Sequence, residues 1–527
     1  MKKYYATDPD IYAVVTALTS QGNAFTNNAI ARFVEGFATV FKLGTTRWNP
    51  VFPFVNFSRD AFTVSTQSKS FAPPFSHTVR GLAMILKNDP ILAEAIEEGV
   101  FYSALTSLPR GSDMKSIAQE IHRAIRTGSA GAVVNALLSI ANGVGKGNEN
   151  VEIGPKIDEY RRLRAQGMAK KEAAMRAREV NTDFARAGSW GRVINRYVPF
   201  FNPSMQGLDK AARTFRENPQ AALLKCLLYI SLPSLLLRLW ILSDDDREKE
   251  YQEFPSRLRD MYWLIPTGKG DWKRLPKPFE LGVLFGSSVE RVVTLAAKKN
   301  QAFRGYAKSV QEAMTPSLMI QIFAPWLETW ANRSMFYDRP IVGKSREGLP
   351  EELQYTATTT ETAKLVGRLF KISPMKVDHI WRGYTGTVGA NALSAVEAVA
   401  RSLGALPESK REARRWSEAP FINAFTAIPY KGSESLSRFY DVSEETAKLL
   451  AGAKAENKPY RDADIAMEFT KARRMLSTLW KDMENIRASD LPPVEKRDKM
   501  DKLTLRAVDF ARNAMARYDR VMERRND

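Results

Sequence analysis

Few of the 527 residues are of types that do chemistry unaided. There is one cysteine, Cys226, and there are three histidines, His77, His122 and His379, each far from the others. A lone thiol excludes a disulfide framework and any cysteine-based zinc cluster, and scattered histidines speak against a His-rich metal centre. Cys226 sits in the most apolar stretch of the chain, where a thiol is usually inert. The run GVGKGN, residues 143–148, has the look of a phosphate loop. It fails the pattern because Ile140 stands where the first glycine belongs and Lys146 is followed by Gly147 instead of Ser or Thr. Glu120, Glu280, Glu328 and Glu397 could each supply an acid for glycan cleavage, but pairing of carboxylates in space is not readable from one sequence. HExxH, GxSxG, CxxC and EF-hand patterns do not occur. The expectation is a protein with no catalytic residues, no metal and no cofactor. His379 lies in SPMKVDHIWRGYTGTVGA, where Gly383, Gly386 and Gly389 recur every third residue. That spacing suits close helix approach or a specific turn, and a lone histidine there suits a hydrogen-bonded structural group.

The elements that position these residues follow from composition. Lys and Arg number 78 against 59 Asp and Glu, a net charge of +19, and 44% of residues are hydrophobic. That is enough apolar material for real cores and excludes wholesale disorder. Asp8, Pro9 and Asp10 interrupt the apolar core that a secretory signal requires.

Between 156 and 196 eleven basic residues face five acidic ones on an Ala-rich helical pattern. Arg161, Arg162, Arg164, Lys170, Lys171, Arg176 and Arg178 are the candidates for binding nucleic acid or anionic lipid. A solvated helix face is the plainer reading of the same pattern.

The segment Ala221–Leu242, AALLKCLLYISLPSLLLRLWIL, follows. As a helix it is about 33 Å long, close to the hydrocarbon thickness of a bilayer. Pro233 is expected to kink it, and Lys225 and Arg238 are costly at the bilayer centre, although both lie near its ends and could snorkel. Leu223, Leu227, Leu228, Ile230, Leu235, Leu236, Leu237 and Trp240 are the candidate membrane residues. A buried core helix is the competing reading. If the segment spans, Lys210, Arg213 and Arg216 place its N-terminal flank in the cytoplasm.

Helical periodicity is also expected over 11–43, 77–86, after Asp89-Pro90, over 112–142, around 280–296, 317–332 and 358–370, and in a buried helix over 389–404. The stretch 49–62 reads as a proline-punctuated break. Trp263–Pro278 reads as a β-hairpin with Gly268 and Gly270 in its turn. Two long helices, 462–488 and 493–525, separated by Pro492-Pro493, form an exposed or partner-facing hairpin. The segments are therefore 1–150 (helical), 151–216 (basic), 217–246 (apolar), 247–450 (helical with the hairpin) and 451–527 (helical hairpin).

The ordered series NPVFPFVNFSRDAF (49–62), FARAGSW (184–190), PFFNPSMQGLDK (199–210), RDMYWLIP (259–266), KPFELGVLFGSSVER (277–291), DRPIVG (338–343) and SPMKVDHIWRGYTGTVG (373–389) resembles a known family. It is similar to a large polyvalent-protein-associated domain of phage and mobile-element proteins, including proteins like the internal virion, or ejection, proteins of short-tailed phages. The resemblance runs over about 45–450 and brings no catalytic residues. The chain lacks the long enzymatic modules such proteins often carry upstream.

The resemblance implies a protein packaged in the virion interior and delivered with the genome into the host envelope, at the periplasm and inner membrane, helping DNA to pass. The implied partners are further copies of itself, other virion, portal or ejection proteins, non-specifically bound DNA and the inner membrane. Two further readings stay open: a non-ejected virion protein packed near the portal, and an intracellular DNA-associated phage factor. A hidden hydrolase is a distant fourth. The expected fold is all-α, elongated and multi-domain, with at most a short β-hairpin.

Overall fold

The computed structural model describes residue 41, residues 51–68, 71–87, 89–100, 148–180, 194, 198 and 200–526, less 298–301, 316–322, 335–338, 357, 407–410, 420–421 and 431. The helices expected at 112–142 and over most of 11–43, and the FARAGSW motif, fall outside the described residues. What is described is mainly α-helical, in two compact units. Unit 1 comprises residues 1–229, 311–355 and 360–397; unit 2 comprises 230–310, 356–359 and 398–527.

In unit 1 the first helices are α1 (Phe52–Gln67), α2 (Ser76–Leu86), α3 (Ile91–Glu97), α4 (Asn148–Ala165), α5 (Lys170–Arg178) and α6 (Phe201–Glu217). The expected break at 49–62 is instead the start of α1. Pro53 falls in its first turn, where no intrahelical N–H is needed and the proline φ already suits a helix. Asp89 caps α3 as its spacing predicts, accepting from the Ile91 amide at 3.0 Å. Ile153, Ile157, Tyr160 and Leu163 of α4 pack with Met84, Leu92, Ala95, Ala173 and Ala177 in one core. Helices α2 and α4 cross backbone to backbone at Gly81 and Gly154: a Cβ on Gly81 would sit 1.9 Å from the Gly154 carbonyl oxygen. Beside this crossing Asp158 is fully buried and holds His77, Arg80 and Arg162 at 2.8, 3.3 and 3.0 Å.

Further along the chain come α11 (Tyr306–Met314), which the unit boundary divides, then α12 (Ala324–Trp330), α13 (Lys344–Glu347), α14 (Glu361–Phe370) and α15 (Pro374–Ser402), most of which belongs to unit 1. Asp378 accepts from the Thr360 amide and hydroxyl at 2.9 and 2.6 Å, fixing the N-terminus of α14. Gly383 lies against Pro325, which would stand 2.6 Å from an added Cβ, and Gly386 interrupts α15 at φ 60°, ψ −156°, a conformation open to glycine. The burial expected for 389–404 is not found: Val396, Val399 and Leu403 are exposed, while Glu397 is buried and receives Thr362. Periodicity identified the helix correctly but not its inward face.

Unit 2 takes over the chain inside a helix. That helix, α7 (Pro219–Leu242), is followed by α8 (Asp245–Glu253), α9 (Ser256–Met261), β1 (Tyr262–Gly268), β2 (Asp271–Pro276) and α10, residues 279–296. The predicted hairpin is present, pairing Tyr262 with Pro276 through Gly268 with Asp271, with Gly270 at φ 71° in its turn. A third strand, β3 (Thr426–Ala427), joins β2 antiparallel. Trp272 is buried between Phe254 and Tyr251, and its indole donates to Glu250 at 2.7 Å.

The two closing helices are α17 (Ala463–Ala488) and α18 (Pro493–Asn526), within a residue or two of the expected bounds. They are a bundle and not a bare hairpin: α16 (Glu434–Ala455) covers their seam with Phe439, packed on Phe469 at 5.2 Å. Buried Glu253 of α8 accepts from Ser435 and Arg512, each at 2.8 Å, and from Ser433, joining bundle to sheet within unit 2.

One ion cluster makes unit 1 acid-sensitive. The Tyr160 hydroxyl, followed by Arg164 and Lys170, holds the Glu94 carboxyl down at about 2 against an ordinary 4.5. A depressed carboxylate stabilises the fold above its unfolded pKa, and that stability is lost as pH falls through the folded value. Glu94→Gln should cost about 1–2 kcal/mol at pH 7, allowing for partial exposure, and should weaken the pH dependence between 4.5 and 2, leaving the part that buried Asp158 supplies. Urea unfolding at a series of pH values checks this; an unchanged acid profile contradicts it.

Candidate membrane-contact site

Helix α7 begins with a cap: the Asn218 side chain accepts from the Ala221 amide at 3.2 Å and Pro219 occupies the first turn. Just before Pro233, where a kink is expected, the helix opens into a widened π-turn over Leu227–Ser231. A proline clashes with the carbonyl four residues back, and the wider turn relieves that clash while the helix runs on. Helix α10 carries a second π-turn, Gly282–Ser287, and the two meet. The Phe285 carbonyl accepts from the Ser231 hydroxyl at 2.9 Å, and Gly286 lies so close to Ser234 that an added Cβ would be 2.9 Å from its Oγ. Arg238 reaches Thr294 at 3.0 Å farther along. Contact positions rise together on both helices, so the two run parallel.

Both helices are inverted. Along 221–242 every hydrogen-bonding side chain except Trp240 is buried: Lys225, Tyr229, Ser231, Ser234 and Arg238, together with Cys226. Exposed between them are Leu223, Leu224, Leu227, Leu228, Leu232, Leu236 at 58%, Leu239 and Trp240. On α10 the buried side carries Ser287, Glu290, Arg291 and Thr294, and the exposed side Leu284, Val292 and Leu295. Ser288, half-buried, turns its hydroxyl back onto the Leu284 carbonyl.

The inward side of the pair is a charge cluster. Arg238, 1% exposed, binds Glu248 through both nitrogens of its fork, Nη2 to Oε1 at 2.8 Å, and stacks on Tyr251 at 4.5 Å. Lys277 donates to the Arg259 carbonyl at 2.9 Å, Ser287 at 3.0 Å and Glu290 at 2.9 Å, which satisfies all three ammonium protons. Arg291 binds Asp260 at 2.7 Å, and Asp260 also accepts from Ser309 at 2.7 Å. Burial pushes the Glu290 carboxyl up and the Lys277 ammonium down, and the attraction between the two opposes both shifts. Each group is matched to a partner and buried, so this arrangement anchors the helices.

The candidate membrane residues of the sequence divide accordingly. Leu223, Leu227, Leu228, Leu236 and Trp240 face outward, Leu235 and Leu237 are half-buried, and Ile230 is fully buried. Among the basic candidates, Arg162 is paired with Asp158, Arg164 and Lys170 with Glu94, and Arg176 with Glu172. Arg178 donates to the Glu98 and Gly99 carbonyls. Arg161, Lys170 and Lys171 are the three that stand exposed, Lys170 despite its pairing with Glu94. Sequence reasoning missed α10 as a second outward apolar face; its signal was the alternation of Ser287, Glu290, Arg291 and Thr294 with Leu284, Val292 and Leu295.

The remaining sequence candidates have structural surroundings. Burial raises the Cys226 thiol to about 12. His379 pairs with Glu328 at 2.7 Å. Glu280 is buried, and Glu120 lies outside the described residues.

Residues 248–422 match the family model described as large polyvalent protein associated domain 38, within the longer stretch whose motifs carry the resemblance. No curated protein and no solved structure matches the chain. The matched region contains Glu248, Asp260, Lys277, Glu290 and Arg291, the cluster that orients α7 and α10.

Removing one partner of a buried ion pair leaves a bare charge and costs about 3–5 kcal/mol, whereas replacing both with apolar groups of similar size is close to neutral. Glu248→Leu should therefore destabilise unit 2 by that amount, and Arg238→Met combined with Glu248→Leu should recover most of it. Urea unfolding followed by tryptophan fluorescence measures both; a single variant costing less than the double one contradicts the assignment.

Proposed function

We propose that the chain is an internal virion protein of a phage, delivered with the genome, which settles on the host inner membrane through α7 and α10 and helps DNA cross the envelope. The carrying observation is the inversion of those helices, with polar groups inward and leucines outward. In a soluble protein a surface helix turns its polar face to water, and a contiguous exposed apolar patch marks a membrane or partner. The match to a polyvalent-protein domain supports the phage or mobile-element setting. The net charge of +19 favours packaged DNA and anionic lipid, with Arg161, Lys170 and Lys171 the accessible members of the basic stripe. The chain acts by binding and not by catalysis in this reading, with further copies or other ejection proteins as partners.

A specific observation favours one alternative, a virion component held against other shell proteins. Helix α12 (Ala324–Trp330) exposes Trp326 and, at 85%, Trp330, and α14 exposes Leu369 and Phe370. Exposed aromatics of this kind suit a protein interface.

Particle content separates the two. Quantified in intact particles and in particles triggered to release DNA, the polypeptide should be present before and absent after; retention in the emptied shell assigns the structural role. For the membrane part, wild-type protein should float with anionic vesicles. Leu236→Asp with Leu239→Asp, both at exposed positions, should reduce flotation at least tenfold with an unchanged circular dichroism spectrum. Loss of the folded spectrum instead would mean that these leucines are core.

A further inference from the structure

We infer that α10 and the unit 2 part of α7 lie in one leaflet of an anionic bilayer, apolar side down, and that neither crosses it. The inference rests on the membrane reading above and concerns how that contact is made.

Topology excludes a pair of spans. Ser231 meets Phe285 and Arg238 meets Thr294, so the helices are parallel and side by side over the same length. Two parallel spans require the chain between them to return through the bilayer. The intervening segment, 243–278, holds α8, with the sequence DDREKEYQE, then α9 and the β1–β2 hairpin, and has no apolar run long enough to cross. It also packs directly on the inner sides of the helices, through Arg238 to Glu248 and Trp263 to Ser234. Asp245, Asp246 and Lys249 on the outer side of α8 are exposed, so full insertion would drag water-facing charge into hydrocarbon.

The apolar side itself suits lipid more than protein. On the unit 2 part of α7 the exposed residues are Leu232, Pro233, Leu236, Leu239 and Trp240, with no charge among them. Ser288 of α10 satisfies its hydroxyl on its own helix. At the end of α7 the exposed Trp240 carries the Arg247 guanidinium at 5.1 Å, an aromatic and a cation placed as headgroup depth requires.

The test uses the full chain with Cys226→Ala, bearing single cysteines, and vesicles of phosphatidylglycerol and phosphatidylethanolamine. A polarity-sensitive fluorophore on Leu236→Cys or Val292→Cys should brighten on binding and be quenched more by shallow than by deep spin-labelled lipids. Gln220→Cys at the start of α7 and Lys249→Cys on α8 just beyond its end should both react with an impermeant maleimide added outside. If one of the two reacts only after detergent, α7 spans and the one-leaflet inference is overturned while the membrane reading stands. If the unlabelled chain ignores vesicles and self-associates, the face belongs to a second copy and both readings fall.

Discussion

Arg238, Lys277 and Arg291 are buried cations, and each is held by a buried carboxylate: Glu248, Glu290 and Asp260. These pairs fix the rotation of α7 and α10. Turning either helix to hide its leucines would break these pairs, at about 3–5 kcal/mol for each charge left buried without its partner, which opposes the gain from covering the side chains. The apolar exterior of this part of unit 2 therefore follows from its ionic interior.

The two π-turns serve the same constraint. At Leu227–Ser231 the extra backbone width accommodates Pro233; at Gly282–Ser287 it presents the Phe285 carbonyl to Ser231. With Gly286 lacking a side chain, α10 comes up against Ser234, whose hydroxyl also accepts from the Trp263 indole of β1 at 2.7 Å. Small residues and tight polar contacts replace the apolar seam that joins helices in most soluble proteins.

Much of the fold was legible where local rules govern. The β1–β2 hairpin, the bounds of α17 and α18, the Asp89 cap and the glycines near His379 follow from turn chemistry, capping and periodicity. Periodicity gives a helix two faces and does not say which is inward, which is why 389–404 was read as buried and α10 was not recognised as inverted. Ion pairs between distant positions were equally invisible. Nothing near Arg164 in the sequence announces Glu94, yet the pair turns Arg164 inward from the basic stripe. Pro53 misled because a proline at a helix start and one in a loop look alike without the residues before them.

The sheet of unit 2 closes late in the chain. Strand β2 finds its second neighbour only at Thr426–Ala427, and Glu253 of α8 finds Ser433, Ser435 and Arg512 later still. Such distant pairing requires large loops to close before any contact rewards them. In a chain emerging N-terminus first, whether from a ribosome or through a narrow conduit, α7 and α10 are out long before the parts that complete their unit. During that interval the leucine-rich helices have the β1–β2 hairpin but neither its third strand nor the bundle behind them, and whichever apolar surface is nearest has first access to them.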